Sequence, residues 1–284
     1  MPSTITAQSK NTKQPNTEST PNEVTQYYYP DPVSQQVIQW LFMDLLPWQQ
    51  PTWQYLTTHL HALPHAMLFA GNAGTGKRAF VYRFVAWALC GNQRDNAQGV
   101  TTACGQCQSC QWLIANTHPD LYQIPTPTVA RDASPKPQAN NALVTQAPTH
   151  QSGYSIKIDE IRELQPFVTQ SSGGLRIVVI HQADAMTLAA SNALLKTLEE
   201  PAENVLMLLI SDSPSQLLPT IRSRLQSFSV SHVTPDQSMQ AMQQLLPHTD
   251  TATLQQASEL SGYAPFLALH MLNSEWYQHR QTWI

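Results

Sequence analysis

Three groupings of residue types in this sequence could carry chemistry. The first is Gly71-Asn72-Ala73-Gly74-Thr75-Gly76-Lys77-Arg78. A Gly-x4-Gly-Lys run between a strand and a helix lets backbone N–H groups cradle phosphates; Gly71, Gly74 and Gly76 permit the tight turn, and Lys77 can reach the terminal phosphates. The last position should offer a Ser or Thr hydroxyl to Mg2+, but Arg78 stands there, and a guanidinium cannot ligate a cation. A carboxylate for the same metal belongs at the end of a later core strand, where the chain reads His181-Gln182-Ala183-Asp184. Neither His181 nor Gln182 supplies negative charge, and Asp184 falls further along, in an expected loop directed elsewhere. Phosphoryl transfer depends on such charge neutralisation, so ATP hydrolysis is expected to be lost. ATP binding through Lys77 stays open, with a retained structural turn as the other reading.

The second grouping is Cys104-x2-Cys107-x2-Cys110 together with Cys90, the four cysteines of the chain. Four thiolates close a tetrahedral zinc site and leave no open position for a catalytic water, so structural zinc is expected rather than a redox dithiol, which needs one CxxC only. His118 is a conceivable further ligand, but its neighbours Thr117, Pro119 and Asp120 favour a turn. The third grouping is Pro219-Thr220-Ile221-Arg222-Ser223-Arg224, with two arginines close together. Such a tip could be a solvated turn, or its planar guanidinium groups could reach phosphoryl charge held by a neighbouring subunit.

The elements that must position these groups follow from the apolar pattern. Residues from Val33 to Leu56 read as helices broken near Pro47. Ala66 to Ala70 is a short apolar run ending in glycine, a buried strand feeding the phosphate loop, and Lys77 to Cys90 carries helical spacing. Ile156 to Val168 could line one helix face, with Pro166 disturbing its last turn. Arg176 to Ile180 is a β-branched strand, Leu188 to Glu200 a helix ending at Pro201, and Val205 to Ile210 a strand buried on both faces. Strands alternating with helices predict an α/β, doubly wound parallel sheet over residues 31–232, with a zinc module at 90–118 inserted in it. Beyond His232 the segments Ser238 to Leu246, Thr251 to Ser261 and Pro265 to Leu272 predict a small all-helical domain over 233–284. Residues 1–30, polar and Pro-rich, and the stretch 125–152, with Pro125, Pro127, Pro135, Pro137 and Pro148, are expected to be disordered or flexible.

The 284 residues carry a net charge of −4 and a pI of 6.2. No global positive field drives sequence-blind binding to nucleic acid. Met1 to Lys10 lacks an apolar core, and the apolar runs are too short to span a bilayer, so a cytoplasmic location is expected.

With these residues in view, the chain resembles bacterial clamp-loader subunits of the AAA+ (RecA-like) P-loop family. The likeness rests on Asn192-Ala193-Leu194-Leu195-Lys196-Thr197-Leu198-Glu199-Glu200-Pro201, on Ile221-Arg222-Ser223-Arg224, on the cysteine module with Thr117-His118-Pro119-Asp120, and on Ile158-Asp159-Glu160-Ile161-Arg162. The resemblance covers roughly Trp40 to Leu272. Motor subunits (gamma and tau) have an intact phosphate loop and an Asp-Glu pair; this chain has neither, which points to the delta-prime type. The resemblance implies a stator that completes a neighbour's ATP site with Arg224 as trans arginine finger. Leu225 stands in place of the cysteine of the family's Ser-Arg-Cys motif. The implied partners are the gamma/tau motor subunits and delta, with the sliding clamp and primer-template DNA reached through the complex. Gly262-Tyr263-Ala264-Pro265 sits where an active ATPase places a nucleotide-sensing arginine. A third, collar domain is usual in the family, and the sequence ends at Ile284, so the collar is expected to be absent. Two other readings remain: a working motor ATPase, which Mg2+-dependent turnover would reveal, and a zinc-stabilised DNA-binding module, which salt-sensitive DNA binding would reveal.

Overall fold

A computed structural model describes residues 45–96, 99–124, 155–170, 173–230, 232–274 and 277. The expected tail over 1–30, the flexible stretch 125–152 and the helical reading before Leu45 lie outside these residues.

The chain enters the described fold through a single turn, Pro47–Gln49, and helix α1, Gln50–Thr58. Strand β1, Ala66–Ala70, follows, and the phosphate loop leads into α2, Lys77–Leu89. A short hairpin, β2 Arg94–Asp95 and β3 Thr101–Thr102, and α3, Gln108–Ile114, form the cysteine module. Strand β4, Leu121–Ile124, then returns to the sheet. After α4 (Ile158–Glu163) and α5 (Gln165–Thr169) come β5 (Arg176–Ile180), α6 (Leu188–Glu199) and β6 (Val205–Ser211). A one-turn helix α7, Pro219–Arg222, precedes β7, Gln226–Ser229.

The five-stranded sheet has the order β4-β5-β6-β1-β7, and its neighbours pair parallel throughout. Parallel neighbours require crossovers, which the helices supply on both faces. Successive side chains of a strand therefore enter different cores. Met67 and Phe69 pack with Trp53, Phe80, Phe84 and Trp87 on one face, while Leu68 and Ala66 pack with Ile161, Leu164, Leu194 and Ile221 on the other. All seven residues of β6 are buried, and each large apolar side chain among them contributes about 1.5–3 kcal/mol by leaving water. This is the doubly wound parallel sheet that the alternation of strands and helices predicts.

One expected helix is two. Pro166 lacks an N–H and its ring would collide with the carbonyl of Arg162, so the chain breaks at Leu164 and restarts with Pro166 in the first turn of α5, where no N–H is needed. The C-terminal helices α8 (Pro235–Leu245), α9 (Thr251–Leu260) and α10 (Pro265–Leu272) pack around Met242, Leu254, Ala257 and Ala268. Thr234 and Asp250 cap the first two by accepting from Gln237 N and Thr253 N. Among the described residues no helix is long and apolar enough to cross a membrane.

Candidate functional site

The phosphate loop follows β1, an inner strand between β6 and β7, at the carboxyl ends of the strands where open α/β sheets bind ligands. Gly74 (φ 76°) and Gly76 (φ 87°) take left-handed conformations, so the motif's glycines give the loop its turn. The loop's lysine, however, faces inward. Lys77 Nζ donates to Gly71 O at 2.7 Å and Asn72 O at 2.6 Å, and pairs with Asp212 Oδ1 at 2.6 Å. The side chain is 3% exposed. Burial pulls Lys77 below its usual 10.5, and the Asp212 carboxylate opposes that pull. A phosphate would have to displace a carboxylate and two carbonyls to meet this ammonium.

Asp212 was not among the residues that the motif identifies. Its placement follows from register: Ala70 of β1 lies beside Ser211 of β6, so Gly71 and Asp212 emerge from the sheet side by side. An acidic residue directly after an apolar strand is the signal in the sequence. Asp184, expected in a loop directed elsewhere, lies in the Ala183–Ala185 turn, and its charge also acts on Lys77. Ile156 pairs with Met186 just beyond this turn. Asp184 Oδ1 is buried without a hydrogen-bond partner among the described residues.

The other side of the loop is covered by protein. Phe266 N donates to Gly74 O at 3.0 Å, Trp48 Nε1 to Thr75 O at 3.2 Å and Gln49 Nε2 to Gly76 O at 3.2 Å. A Cβ on Gly74 would stand 2.5 Å from Leu267 Cβ, and one on Gly76 2.7 Å from Phe266 Cε2. The glycines thus admit the first turn of α10 where they would otherwise admit phosphates. Gly262 and Tyr263, both at φ 63°, form the turn that delivers α10 to the loop. A tyrosine in that region is strained, which marks the turn as held by its surroundings.

At the position of the missing metal-binding carboxylate, the end of β5, His181 is enclosed. Tyr82 of α2 donates to Gln123 Oε1, its oxygen lies 2.7 Å from His181 Nε2, and Gln123 Nε2 donates to Asn116 Oδ1 at 2.9 Å. Burial, with the Arg78 guanidinium acting in the same direction, holds the imidazole well below 6.5, and burial raises the Tyr82 phenol. A neutral hydrogen-bonded chain thus occupies the place where a Mg2+ site needs charge.

The four predicted cysteines converge. Their sulfurs all lie within 4.8 Å of one another, with separations of 3.5 Å (Cys107–Cys110), 3.7 Å (Cys90–Cys110), 3.8 Å (Cys90–Cys107) and 3.9 Å (Cys104–Cys110). A tetrahedral zinc with bonds of about 2.3 Å sets its sulfurs roughly 3.8 Å apart, so the donor set fits. Backbone N–H groups of Asn92 and Cys104 point at Cys90 Sγ, and those of Gln106 and Cys107 at Cys104 Sγ. The Gln106 hydrogen bond leads in lowering the Cys104 thiol to about 6, while burial raises Cys90 and Cys110. A cation between them would offset that burial and hold all four as thiolates. His118 takes the turn role: its Nδ1 accepts from Asp120 N, its Nε2 lies 2.8 Å from Ser109 Oγ, and that hydroxyl donates to Leu89 O. The module is therefore fastened to the end of α2, the helix that begins at Lys77.

Arg224 follows α7 beyond the other face of the sheet. Its guanidinium is 2.7 Å from Glu199 Oε1 and donates to Thr220 O at 2.8 Å. The tip is more than a solvated turn, since Ile221 is fully buried and fixes it to the core.

A parallel P-loop sheet in this strand order, a helical C-terminal region seated on the loop and a cysteine module inserted after the loop's helix define a P-loop-type α/β protein whose phosphate loop is closed by its own groups. The chain belongs to the DNA polymerase III, delta subunit family, whose model matches residues 48–234. It is 37% identical over 228 residues to the DNA polymerase III subunit delta' of Pseudomonas aeruginosa, covering 79% of this chain and 60% of that protein. The subunit delta' of Escherichia coli K12 is 28% identical over 246 residues, covering 84% of this chain and 64% of the relative. A gamma/tau subunit of Mycobacterium tuberculosis H37Rv is 30% identical over 181 residues, covering 63% of this chain and 26% of its own length. The chain thus spans about 60% of the length of the Pseudomonas relative.

Proposed function

We propose that this chain acts as the delta-prime subunit of a bacterial DNA polymerase III clamp loader, a stator that hydrolyses no ATP itself. Arg224 serves as a trans arginine finger at the ATP site of a neighbouring gamma/tau motor subunit. With delta and the motor subunits, the protein helps place the sliding clamp on primer-template DNA in the cytoplasm. The α/β unit over 31–232 carries the finger, and the helical unit over 233–284 is the lid. The four cysteines hold a structural zinc; it supplies a closed tetrahedral centre, and Cys90, Cys104, Cys107 and Cys110 leave no site for water on it.

The observation that carries this reading is the capture of Lys77 by Gly71, Asn72 and Asp212. A phosphate loop whose ammonium is bound internally, and whose outer face is packed under Phe266 and Leu267, supports a structural use. The exposed arginine beyond α7 is left to act on a phosphoryl group elsewhere, where a guanidinium stabilises developing charge.

The test is reconstitution with motor and delta subunits of the same organism, reading clamp- and DNA-stimulated ATP turnover. The wild type is expected to raise turnover, and Arg224→Ala to assemble while losing roughly 10-fold or more of it. Mg2+-dependent turnover by this chain alone would overturn the reading, as would full stimulation by Arg224→Ala.

A further inference from the structure

An arginine that must meet charge on another subunit has a long stem with many rotamers, and a displacement of about 1 Å at a reacting centre can remove much of its effect. Arg224 is not left to find its position. Nη2 lies 2.7 Å from Glu199 Oε1, while Nη1 donates to Thr220 O at 2.8 Å and approaches Ser223 Oγ at 3.5 Å. Both ties are anchored in the core: Leu198 beside Glu199, Leu225 beside Arg224, and Ile221 between the tied residues of the tip all belong to one buried cluster. Glu199 also ends α6, whose carbonyl terminus favours a nearby cation.

A guanidinium has five N–H groups, and these ties leave Nε–H and a second N–H on Nη2 for a phosphoryl oxygen. The pair is partly open to water, with Arg224 at 36% and Glu199 at 50% exposure, so the carboxylate orients the guanidinium without sealing it off.

We propose that Glu199 is the positioning residue of Arg224, presetting the guanidinium for a neighbour's phosphoryl group; this rests on the trans-finger reading above. The experiment uses the fully reconstituted loader with wild type, Glu199→Ala, Glu199→Gln, Arg224→Ala and the double variant Glu199→Ala/Arg224→Ala. It reads assembly by gel filtration, and kcat and KM for stimulated ATP turnover. Glu199→Ala is expected to lower kcat about 3- to 10-fold with KM and assembly unchanged. Glu199→Gln, which keeps an oxygen acceptor at the same place, should recover most of that loss, and the double variant should be no slower than Arg224→Ala alone. If Arg224→Ala slows turnover but Glu199→Ala matches or exceeds the wild type, the positioning role fails and the finger stands. If Glu199→Ala loses assembly, the residue belongs to an interface and the proposal also fails. An unaffected Arg224→Ala would remove the finger itself.

Discussion

At the scale of single residues, the site has replaced charges that bind with charges and hydrogen bonds that close. Lys77 is neutralised by Asp212, and the end of β5 holds a histidine that burial keeps neutral. The second replacement has a consequence for pH. His181 is held well below 6.5 in the native state, whereas in the unfolded chain it takes a proton as the pH drops below that value. The unfolded state then binds more protons, so the stability contributed by neutral His181 is present above about pH 6.5 and is lost as the pH falls towards the folded value, at up to about 1.4 kcal/mol per pH unit. Urea unfolding at pH 7.5 and 5.5 should show a smaller stability loss for His181→Gln than for the wild type. Burial lowers His118 and His270 in the same direction, so the dependence should flatten without disappearing. An equal loss in both proteins would show that His181 titrates normally.

Among the elements, α2 and α10 carry the arrangement. Helix α2 runs from Lys77 to the cysteine module, a rise of about 20 Å over its 13 residues, and it ties loop and module to one rigid body. Helix α10 lies with Leu267 against Gly74, closer than any side chain at that position would allow. Gly74→Ala must therefore both force a left-handed alanine and move a backbone nitrogen 2.7 Å away. A loss of about 2–4 kcal/mol in denaturant unfolding is expected, with faster amide exchange in 265–272. Gly173→Ala, with nothing within 4 Å of the new methyl group, is the control and should change stability by less than about 0.5 kcal/mol. If the two variants are equally stable, α10 does not rest on the loop.

For the molecule as a whole, the cysteine module has little regular secondary structure of its own, since its hairpin has two residues per strand. Its order should depend on a metal. Purified protein is expected to contain about one zinc per chain, and chelation to lower the melting temperature by roughly 5 °C or more. Cys104→Ser should weaken zinc retention under a competing chelator. Protein free of metal, with a melting temperature indifferent to chelator, would remove zinc from the account. The loosened module should also release the Ser109–Leu89 tie at the end of α2, so amide exchange there should rise with that of the module.

The sequence by itself determined the parts whose signals are local. Continuous apolar runs marked β1, β5 and β6, helical spacing marked α2 and α6, and residue types alone showed that Arg78 and His181 cannot hold Mg2+. CxxC spacing gathered Cys104, Cys107 and Cys110 because residues three apart at a turn stay close, whereas Cys90 joins them from the end of α2. The edge strands β4 and β7 were not legible, because an edge strand such as Gln226-Ser227-Phe228-Ser229 joins the sheet through backbone bonds and buries little. Nor were the fates of Lys77 and Arg224. Asp212 reaches Lys77 through the parallel pairing of β1 with β6, Glu199 reaches Arg224 through the packing of α6 against α7, and α10 reaches Gly74 from a separate set of three packed helices. Those contacts join residues far apart in the chain, and a side chain's type states which bonds it can make without stating which partner the fold will bring to it.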